Sequence, residues 1–214
     1  MSNHKRSSRR AHRSQAQRPA DRLRQHIAIE AARILAEDGQ RNYRMAKEKA
    51  AIRLGADPRS GLPSNTEVEQ ALREHQQLYQ GNHAANLETK RKAALKAMQF
   101  FSPFRPKLVG SVLEGTADQH SRISLHLFCE TPDQAVGFLL ENKLPFDQET
   151  RRIRWHDGDF RDLELIVMDA GEHTFELALM AGPGWRQPPP SPVDGKPQRR
   201  AGLAAVQALL DETD

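Results

Sequence analysis

Cysteine, aromatic residues and long apolar runs are all scarce in this chain of 214 residues. Cys129 is the only cysteine, which excludes a disulfide scaffold and a zinc ribbon, and its apolar neighbours predict a buried strand position. No apolar stretch approaches the roughly 18 to 20 residues of a membrane span, and the basic N-terminus is followed by polar sequence instead of the apolar region of a signal peptide. We therefore expect a soluble protein of the reducing cytoplasm, without a membrane partner.

The net charge of +4 is distributed unevenly along the chain. Residues 1–18 carry six basic side chains and no acidic one, so this tail alone contributes +6. Residues 19–101 contain 14 basic and 10 acidic residues, and residues 102–214 contain 12 basic and 18 acidic residues. The C-terminal half is therefore acidic at −6, and an anion that binds there must be held by a local group of side chains.

Apolar spacing and composition divide the chain into five segments. The tail has almost no apolar side chains to offset the entropy of ordering, so it is predicted to be disordered. The next segment shows helical periodicity, with helices expected at about 20–37, 42–54, 65–79 and 83–100. In chain order the segments are a disordered basic tail (1–18), a helical region (19–101), an α+β domain (102–182), a Pro-rich connector (183–199) and a C-terminal helix (200–214).

Strand-like alternation begins after residue 106. Thr131 and Pro132 predict the start of the one helix among the strands, with a capping hydroxyl and a proline at the first helical position. Residues 170–173 predict a hairpin turn between the last two strands. The strands are expected at 107–112, 123–129, 151–155, 163–168 and 174–180. Together these elements predict an α+β fold in which the helical region packs on a mixed sheet.

The segment GSVLEGTADQHSRISL occupies residues 110–125, between the first two predicted strands. A glycine permits close approach of backbone N–H groups to phosphate oxygens, and the adjoining serine adds a hydroxyl donor. The segment resembles the signature of the nucleotidyltransferase superfamily, which includes polymerase-beta-like and minimal nucleotidyltransferases. In that signature a Gly-Ser after the first strand is followed at fixed spacing by Ser-Asp-x-Asp on the second. The positions in register are Gly110, Ser111, Gly115, Thr116, Ala117 and Ser121.

The chain departs from this family at the two aspartates, whose positions hold Arg122 and Ser124. In the family these aspartates and a third carboxylate hold two divalent metals, a task that a cation and a neutral hydroxyl cannot perform. The third acidic position corresponds to Glu176, which alone would bind Mg²⁺ weakly. The resemblance therefore implies the fold more firmly than the activity. It leaves Gly110, Ser111, Arg122 and Ser124 as candidates for nucleotide or phosphate binding and Glu176 as a weak metal candidate.

Other residues near the motif are candidates for relocated metal ligands. They are Glu114, Asp118, His120 and His126. His126 is more typical of a satisfied, partly buried histidine, and Asp118 of a solvated loop residue. Arg122 has two interpretations, as a direct phosphate ligand or as an exposed charge at a strand edge. Over most of its length the chain also resembles a group of bacterial, specifically proteobacterial, nucleotidyltransferase-like proteins whose reaction is not defined.

Three functions follow from these observations. The first is a non-catalytic nucleotidyltransferase-fold protein, a pseudoenzyme that binds a nucleotide, a polyanion or another protein. The second is an active, Mg²⁺-dependent nucleotidyltransferase with relocated ligands. The third is a nucleic-acid-associated protein that acts through its basic tail and two basic helix faces, formed by residues 47–53 and by Lys90, Arg91 and Lys92.

The third function predicts nucleic-acid affinity that falls steeply with salt, because each phosphate contact releases counterions. Deletion of residues 1–18 should abolish most of this affinity. Fluorescence anisotropy with a labelled oligonucleotide at several salt concentrations measures both effects. Unchanged binding by the truncated protein would contradict the hypothesis.

Overall fold

The computed structural model describes residues 4–37, 42–78, 80–182 and 187–211, with side chains described outside 4–19, 37, 77–78 and 80–82. The chain divides into two compact units, residues 1–78 and 79–214. The helices are α1 (His4–Glu37), α2 (Tyr43–Arg53), α3 (Asn65–Leu78), α4 (Gln80–Phe100), α5 (Gly110–Glu114), α6 (Pro132–Glu141) and α7 (Leu203–Asp211). The strands are β1 (Lys107–Val109), β2 (Ile123–Cys129), β3 (Asp147–Arg154), β4 (Phe160–Ala170) and β5 (His173–Ala181).

The first unit consists of α1, α2 and α3, whose apolar faces share one core. Ile27 and Ile34 of α1 are fully buried, and Val68 of α3 packs in the same cluster. The part of α2 that enters this core is made of alanines, while Met45 and Ile52 lie exposed on its outer side. Small side chains permit close approach of neighbouring helices. Only some of the apolar residues of α2 therefore face this core.

The N-terminal boundary of α1 differs from the sequence prediction. The helix begins at His4 instead of near residue 20, so the backbone of residues 4–18 is helical where composition predicts disorder. Lack of apolar side chains prevents a segment from forming a core, but it does not oppose local helix formation by Arg, Ala and Gln, which have high helix propensity. Residues 4–18 thus form the N-terminal part of α1, and the part of α1 that packs in the core lies further along the chain.

The second unit contains α4 together with all five strands, so the division falls before α4 and not after residue 101 as the sequence analysis placed it. The strands form a mixed sheet in the order β1-β2-β5-β4-β3. Only the β2–β5 pair is parallel, and the other three pairs are antiparallel. The predicted α+β fold with a mixed sheet is confirmed.

One face of this sheet carries the main core of the unit. Ile123, Leu125 and Leu127 are fully buried, as the alternation along β2 predicts. They pack with Leu177 of β5 and with apolar residues of α4, α6 and α7, including Met98, Leu139 and Val206. Cys129 ends β2 in a half-buried position, and this burial raises the pKa of its thiol.

The opposite face carries a smaller apolar cluster that includes Leu165 and Met180. The C-terminal segment runs beside this face, where the guanidinium of Arg200 lies 5.0 Å from the ring centroid of Phe128. Ala201 then pairs with Leu108 of β1 through two backbone hydrogen bonds of 2.8 and 2.9 Å. The connector therefore joins the outer edge of β1 before the chain enters α7.

Two local predictions need correction. The first strand ends at Val109 instead of residue 112, because Gly110 adopts a φ of 72° and turns the chain into the short helix α5. Thr131 precedes α6 as its N-cap residue, with Pro132 at the first turn, but the threonine hydroxyl makes no capping hydrogen bond. β2 has its predicted bounds, β4 and β5 are longer than predicted, and β3 begins four residues earlier than predicted and ends at Arg154 instead of residue 155. Among the described residues, no helix is long and apolar enough to cross a membrane.

The N-terminus of α3 supplies a test of the first unit. Ser64 accepts a hydrogen bond from the Glu67 N–H at 3.2 Å, and the Glu67 carboxylate accepts one from the Ser64 N–H at 2.7 Å. This reciprocal arrangement is a capping box, so Ser64→Ala should lower the free energy of unfolding by about 1 kcal/mol. Urea unfolding followed by circular dichroism measures the change.

Ser60→Ala is the matched control, because the Ser60 hydroxyl donates to Asp57 in an exposed loop and caps no helix. Its effect should be a few tenths of a kcal/mol at most. Equal midpoints for the wild type and Ser64→Ala would show that the capping box does not stabilise the unit.

Candidate functional site

Two glycines give the Gly-Ser motif its shape. Gly110 begins α5 directly after β1, and Gly115 ends the same helix with a φ of 81°. Both residues are in the left-handed region, which side chains with a Cβ rarely adopt. Ser111 is the second residue of α5, and its carbonyl accepts a hydrogen bond from the Thr116 N–H at 2.9 Å. The motif is thus a tight strand–helix–turn unit.

Strand pairing brings the motif positions together on one face of the sheet. Val109 is paired with Ser124 across β1 and β2, and Ser124 is paired with Glu176 across β2 and β5. A Cβ built on Gly110 would lie 3.8 Å from both Cβ and Oγ of Ser124. Gly110, Ser124 and Glu176 therefore follow one another across three strands, as the sequence analysis expected for Glu176.

Two arginines contact the carboxylate of Glu176. Arg151 of β3 donates to both carboxylate oxygens, at 3.0 Å from Nη1 and 2.7 Å from Nη2. Arg122, just before β2, approaches from the other side with Nη1 at 3.4 Å from Oε2. The Glu176 side chain is only 13% exposed, compared with 24% for Arg122 and 49% for Arg151. We call these three residues the arginine–glutamate cluster.

The cluster carries a net charge of +1, since two cations share one anion. The hydrogen bonds that Arg151 donates to Glu176 raise the pKa of Arg151 above its ordinary value, although burial opposes this shift. The Nε of Arg122 is buried and has no hydrogen-bond partner among the described residues. Arg122 is therefore a mostly buried ion-pair partner and not the exposed strand-edge charge that was one of its two interpretations.

The residues of this site do not fit a two-metal centre. Arg122 and Ser124 occupy the positions that would need carboxylates, and both oxygens of Glu176 already accept hydrogen bonds from guanidinium groups. Within the described ranges, no group of three or more His, Cys, Asp or Glu side chains is arranged to hold a metal ion. Divalent cations such as Mg²⁺ require several oxygen ligands, so Glu176 is not a metal ligand in this arrangement.

The candidates for relocated ligands have other partners. The Asp118 carboxylate accepts hydrogen bonds from the His120 N–H and the Ser121 hydroxyl, each at 2.8 Å, and thereby fixes a turn. Glu114 lies 4.0 Å from Arg199. Their interactions are consistent with structural roles in loops and at the end of α5.

His126 is more deeply buried than the sequence indicated, with 3% of its surface exposed. Its Nδ1 accepts a hydrogen bond from Nε of Arg200 at 3.0 Å, which requires the neutral imidazole. Burial and the positive charge of Arg200 lower the pKa of His126 to about 3. The histidine therefore anchors the C-terminal segment against β2.

The basic face predicted on α4 is largely turned inward. Lys90 is 3% exposed and donates to the carbonyl of Ser121 at 2.8 Å, while Arg91 Nε lies 3.4 Å from the carbonyl of Val112. Lys92 is exposed and pairs with Glu88 on the same helix. Lys90 is thus inaccessible to a polyanion and Arg91 is only partly exposed, which weakens the expectation that the three cations form a nucleic-acid face.

Arg151 and Arg200 are the two contributors to this region that sequence reasoning missed. Arg151 reaches Glu176 across the intervening strand β4, and Arg200 reaches His126 from 74 positions further along the chain. In the sequence, the one feature that could have drawn attention to Arg151 is that it is the first of two adjacent arginines in β3. No protein-family model, curated protein or solved structure matches this chain.

The buried histidine predicts a specific pH dependence of stability. The unfolded chain takes up a proton at His126 near pH 6.5, whereas the folded chain does so only near pH 3. The free energy of unfolding should therefore fall as the pH decreases through this interval, by at most about 1.4 kcal/mol per pH unit from this group. Urea unfolding at pH 7, 6, 5 and 4 measures the slope.

His126→Gln keeps an acceptor for Arg200 but cannot be protonated in this range, so its unfolding free energy should decrease less steeply between pH 6.5 and 4. The carboxylates contribute equally to both proteins. Parallel pH profiles for the wild type and His126→Gln would contradict the assignment of a buried neutral histidine.

Proposed function

We propose that this chain is a non-catalytic nucleotidyltransferase-like protein that binds a phosphate-bearing anion, such as a nucleotide, at the arginine–glutamate cluster. The protein recognises its ligand and does not transfer a nucleotidyl group. Ser124 is paired with Glu176, and Gly110 and Ser111 begin α5 at the same end of the sheet, so their backbone and hydroxyl groups are the further donors that we assign to the ligand.

The observation that carries this proposal is the convergence of Arg122 and Arg151 on Glu176. Arg151 already holds a planar, two-oxygen acceptor through both Nη atoms, the geometry in which arginine also binds phosphate. Arg122 presents a second guanidinium to the same point at a longer distance of 3.4 Å. An anion that enters between the two arginines would accept hydrogen bonds from their guanidinium groups, either in place of Glu176 or together with it.

The charge of the cluster favours this mode of binding. The second unit, residues 79–214, contains 16 basic and 19 acidic residues, so its net charge of −3 does not attract anions. The three residues of the arginine–glutamate cluster sum to +1, Glu149 also acts on Arg151, and half of the Arg151 side chain is exposed to solvent. An anion would therefore be attracted at short range, where the guanidinium groups are within hydrogen-bond distance, and specificity for phosphate would come from their paired donors.

The same cluster argues against turnover. Nucleotidyl transfer by this superfamily uses divalent metals that activate the attacking oxygen and stabilise the leaving pyrophosphate. In this chain a guanidinium occupies the space beside the one carboxylate at the family's third acidic position. Arginine can stabilise a bound phosphate, but it cannot lower the pKa of an attacking hydroxyl as a metal does.

Isothermal titration calorimetry with ATP, AMP and tripolyphosphate, each in EDTA, tests the proposal. Arg122→Ala and Arg151→Ala should each weaken binding roughly 10- to 100-fold, the loss expected for one charge-assisted hydrogen-bonding group. Glu176→Gln should tighten binding, because the internal competitor for both arginines is then neutral. The comparison of ATP with tripolyphosphate separates recognition of a nucleoside from recognition of phosphate alone.

Arg152→Ala is the matched control for charge, since Arg152 neighbours Arg151 in sequence, lies on the opposite face of β3 and stacks on Phe160 at 4.7 Å. It should bind like the wild type. Equal affinities for all five proteins would contradict the proposal. Mg²⁺-dependent nucleotidyl transfer that is lost in Glu176→Gln would overturn it in favour of the active enzyme.

A further inference from the structure

The outer edge of β3 has no strand partner among the described residues. β3 is the last strand in the order β1-β2-β5-β4-β3, and its eight residues are paired on one side only, with β4. At the other end of the sheet, the edge of β1 is joined by Ala201. Among the residues that the structure describes, a segment of the chain therefore pairs with the β1 edge and none pairs with the β3 edge.

β3 lacks most of the features that prevent an edge strand from pairing with a strand of another molecule. It has no proline, and its pairing with β4 runs without a bulge from Asp147 opposite Val167 to Arg154 opposite Phe160. Seven of its eight residues are exposed, and Ile153 is half-buried. Proteins usually protect exposed edges by short strands, prolines, bulges or repelling charges. Of these protective features, β3 has only charged side chains. The pattern of its charges therefore determines whether, and in which register, β3 can pair with another strand.

The charges of β3 are self-complementary for one arrangement. Its first half carries Asp147 and Glu149, and its second half carries Arg151, Arg152 and Arg154. Two identical edges can pair antiparallel only about a two-fold axis normal to the sheet, which keeps equivalent faces on the same side. Two residues that lie directly opposite each other must then both have odd numbers or both have even numbers.

The position of the axis follows from the charges. An axis at Thr150 places Glu149 of each copy opposite Arg151 of the other, and Gln148 opposite Arg152. An axis at residue 149 or 151 instead places two equal charges directly opposite each other. Opposite charges across strands stabilise a pair and equal charges destabilise it. The arrangement centred on Thr150 is thus the one that the sequence of β3 favours.

We propose that a second copy of this chain pairs with β3 through an antiparallel strand centred on Thr150, which joins two five-stranded sheets into one. Backbone hydrogen bonds supply the attraction, and the Glu149–Arg151 pairs fix the register. Arg151 lies on the face that carries the arginine–glutamate cluster, so the pairing brings Glu149 of the second copy beside that cluster. The proposal rests on strand geometry and charge, independently of any anion bound there.

Cross-linking through Thr150 is the sharpest test, because each Thr150 faces its own symmetry mate. Opposite Cα atoms in an antiparallel pair lie about 4.5 to 5.5 Å apart, within the range of a disulfide. Thr150→Cys should therefore form a covalent dimer under mild oxidation, as seen by non-reducing electrophoresis.

Three proteins serve as controls for the cross-link. The wild type reports on Cys129 alone, and Gln99→Cys reports on an exposed position of α4. Arg154→Cys lies in the same strand, but the proposed register separates its two copies by roughly 27 Å. Cross-linking of Thr150→Cys without cross-linking of the controls supports the proposal, and equal yields in all four proteins overturn it.

Sedimentation equilibrium of the uncross-linked protein tests the register through charge. Gln148→Glu should tighten the dimer and Gln148→Lys should loosen it, each by about two- to tenfold, because the substituted residue faces Arg152 twice in the assembly. Gln99→Glu and Gln99→Lys change the net charge equally and should leave the dissociation constant unaltered. A wild type that stays monomeric at about 200 μM, a hundredfold above a low-micromolar dissociation constant, overturns the proposal. It is also overturned if substitutions at residues 148 and 99 change the dissociation constant equally.

Discussion

The ion pairs around Glu176 determine what the rest of the site can do. A carboxylate that is 13% exposed is costly to bury unless it is paired, and here both of its oxygens accept hydrogen bonds from arginine. Removal of either arginine would leave part of this charge uncompensated, and removal of Glu176 would leave two cations facing each other. The three residues are therefore interdependent, and they link the start of β2, the middle of β5 and the edge strand β3.

The parallel pairing of β2 with β5 makes this arrangement possible. Parallel strands place Ser124 and Glu176 side by side on one face, and the antiparallel pair β1–β2 sets Val109 beside Ser124. Gly110 then turns the chain away from the sheet, so that α5 begins next to the cluster. In a two-metal enzyme the same geometry would gather carboxylates. In this chain it gathers a serine, a glutamate and two arginines, a set that lacks the carboxylates of a two-metal site.

Local patterns allowed much of this geometry to be predicted from the sequence. β2 was predicted with its observed bounds because Ile123, Leu125 and Leu127 recur at every second position, whereas Gly110 was included in the predicted first strand and α5 was not predicted. The strand that carries Glu176 was predicted in its observed place, and it pairs in register with β2. The contacts of Arg151 and Arg200 could not be predicted, since each depends on strand order or on the path of the connector. Periodicity reports which face a residue occupies, but not which distant residue lies opposite.

The chain closes one edge of its sheet and leaves the other accessible, and this asymmetry follows from where its charges lie. The connector carries Arg200 into the face beside β1, where it donates to a buried neutral histidine and binds the edge through Ala201. The opposite edge has exposed side chains of both signs and no covering segment among the described residues. A strand of one sign would repel a copy of itself. Because acidic residues precede basic ones along β3, an antiparallel copy centred on Thr150 would place Glu149 opposite Arg151, the same arginine that pairs with Glu176 within the domain.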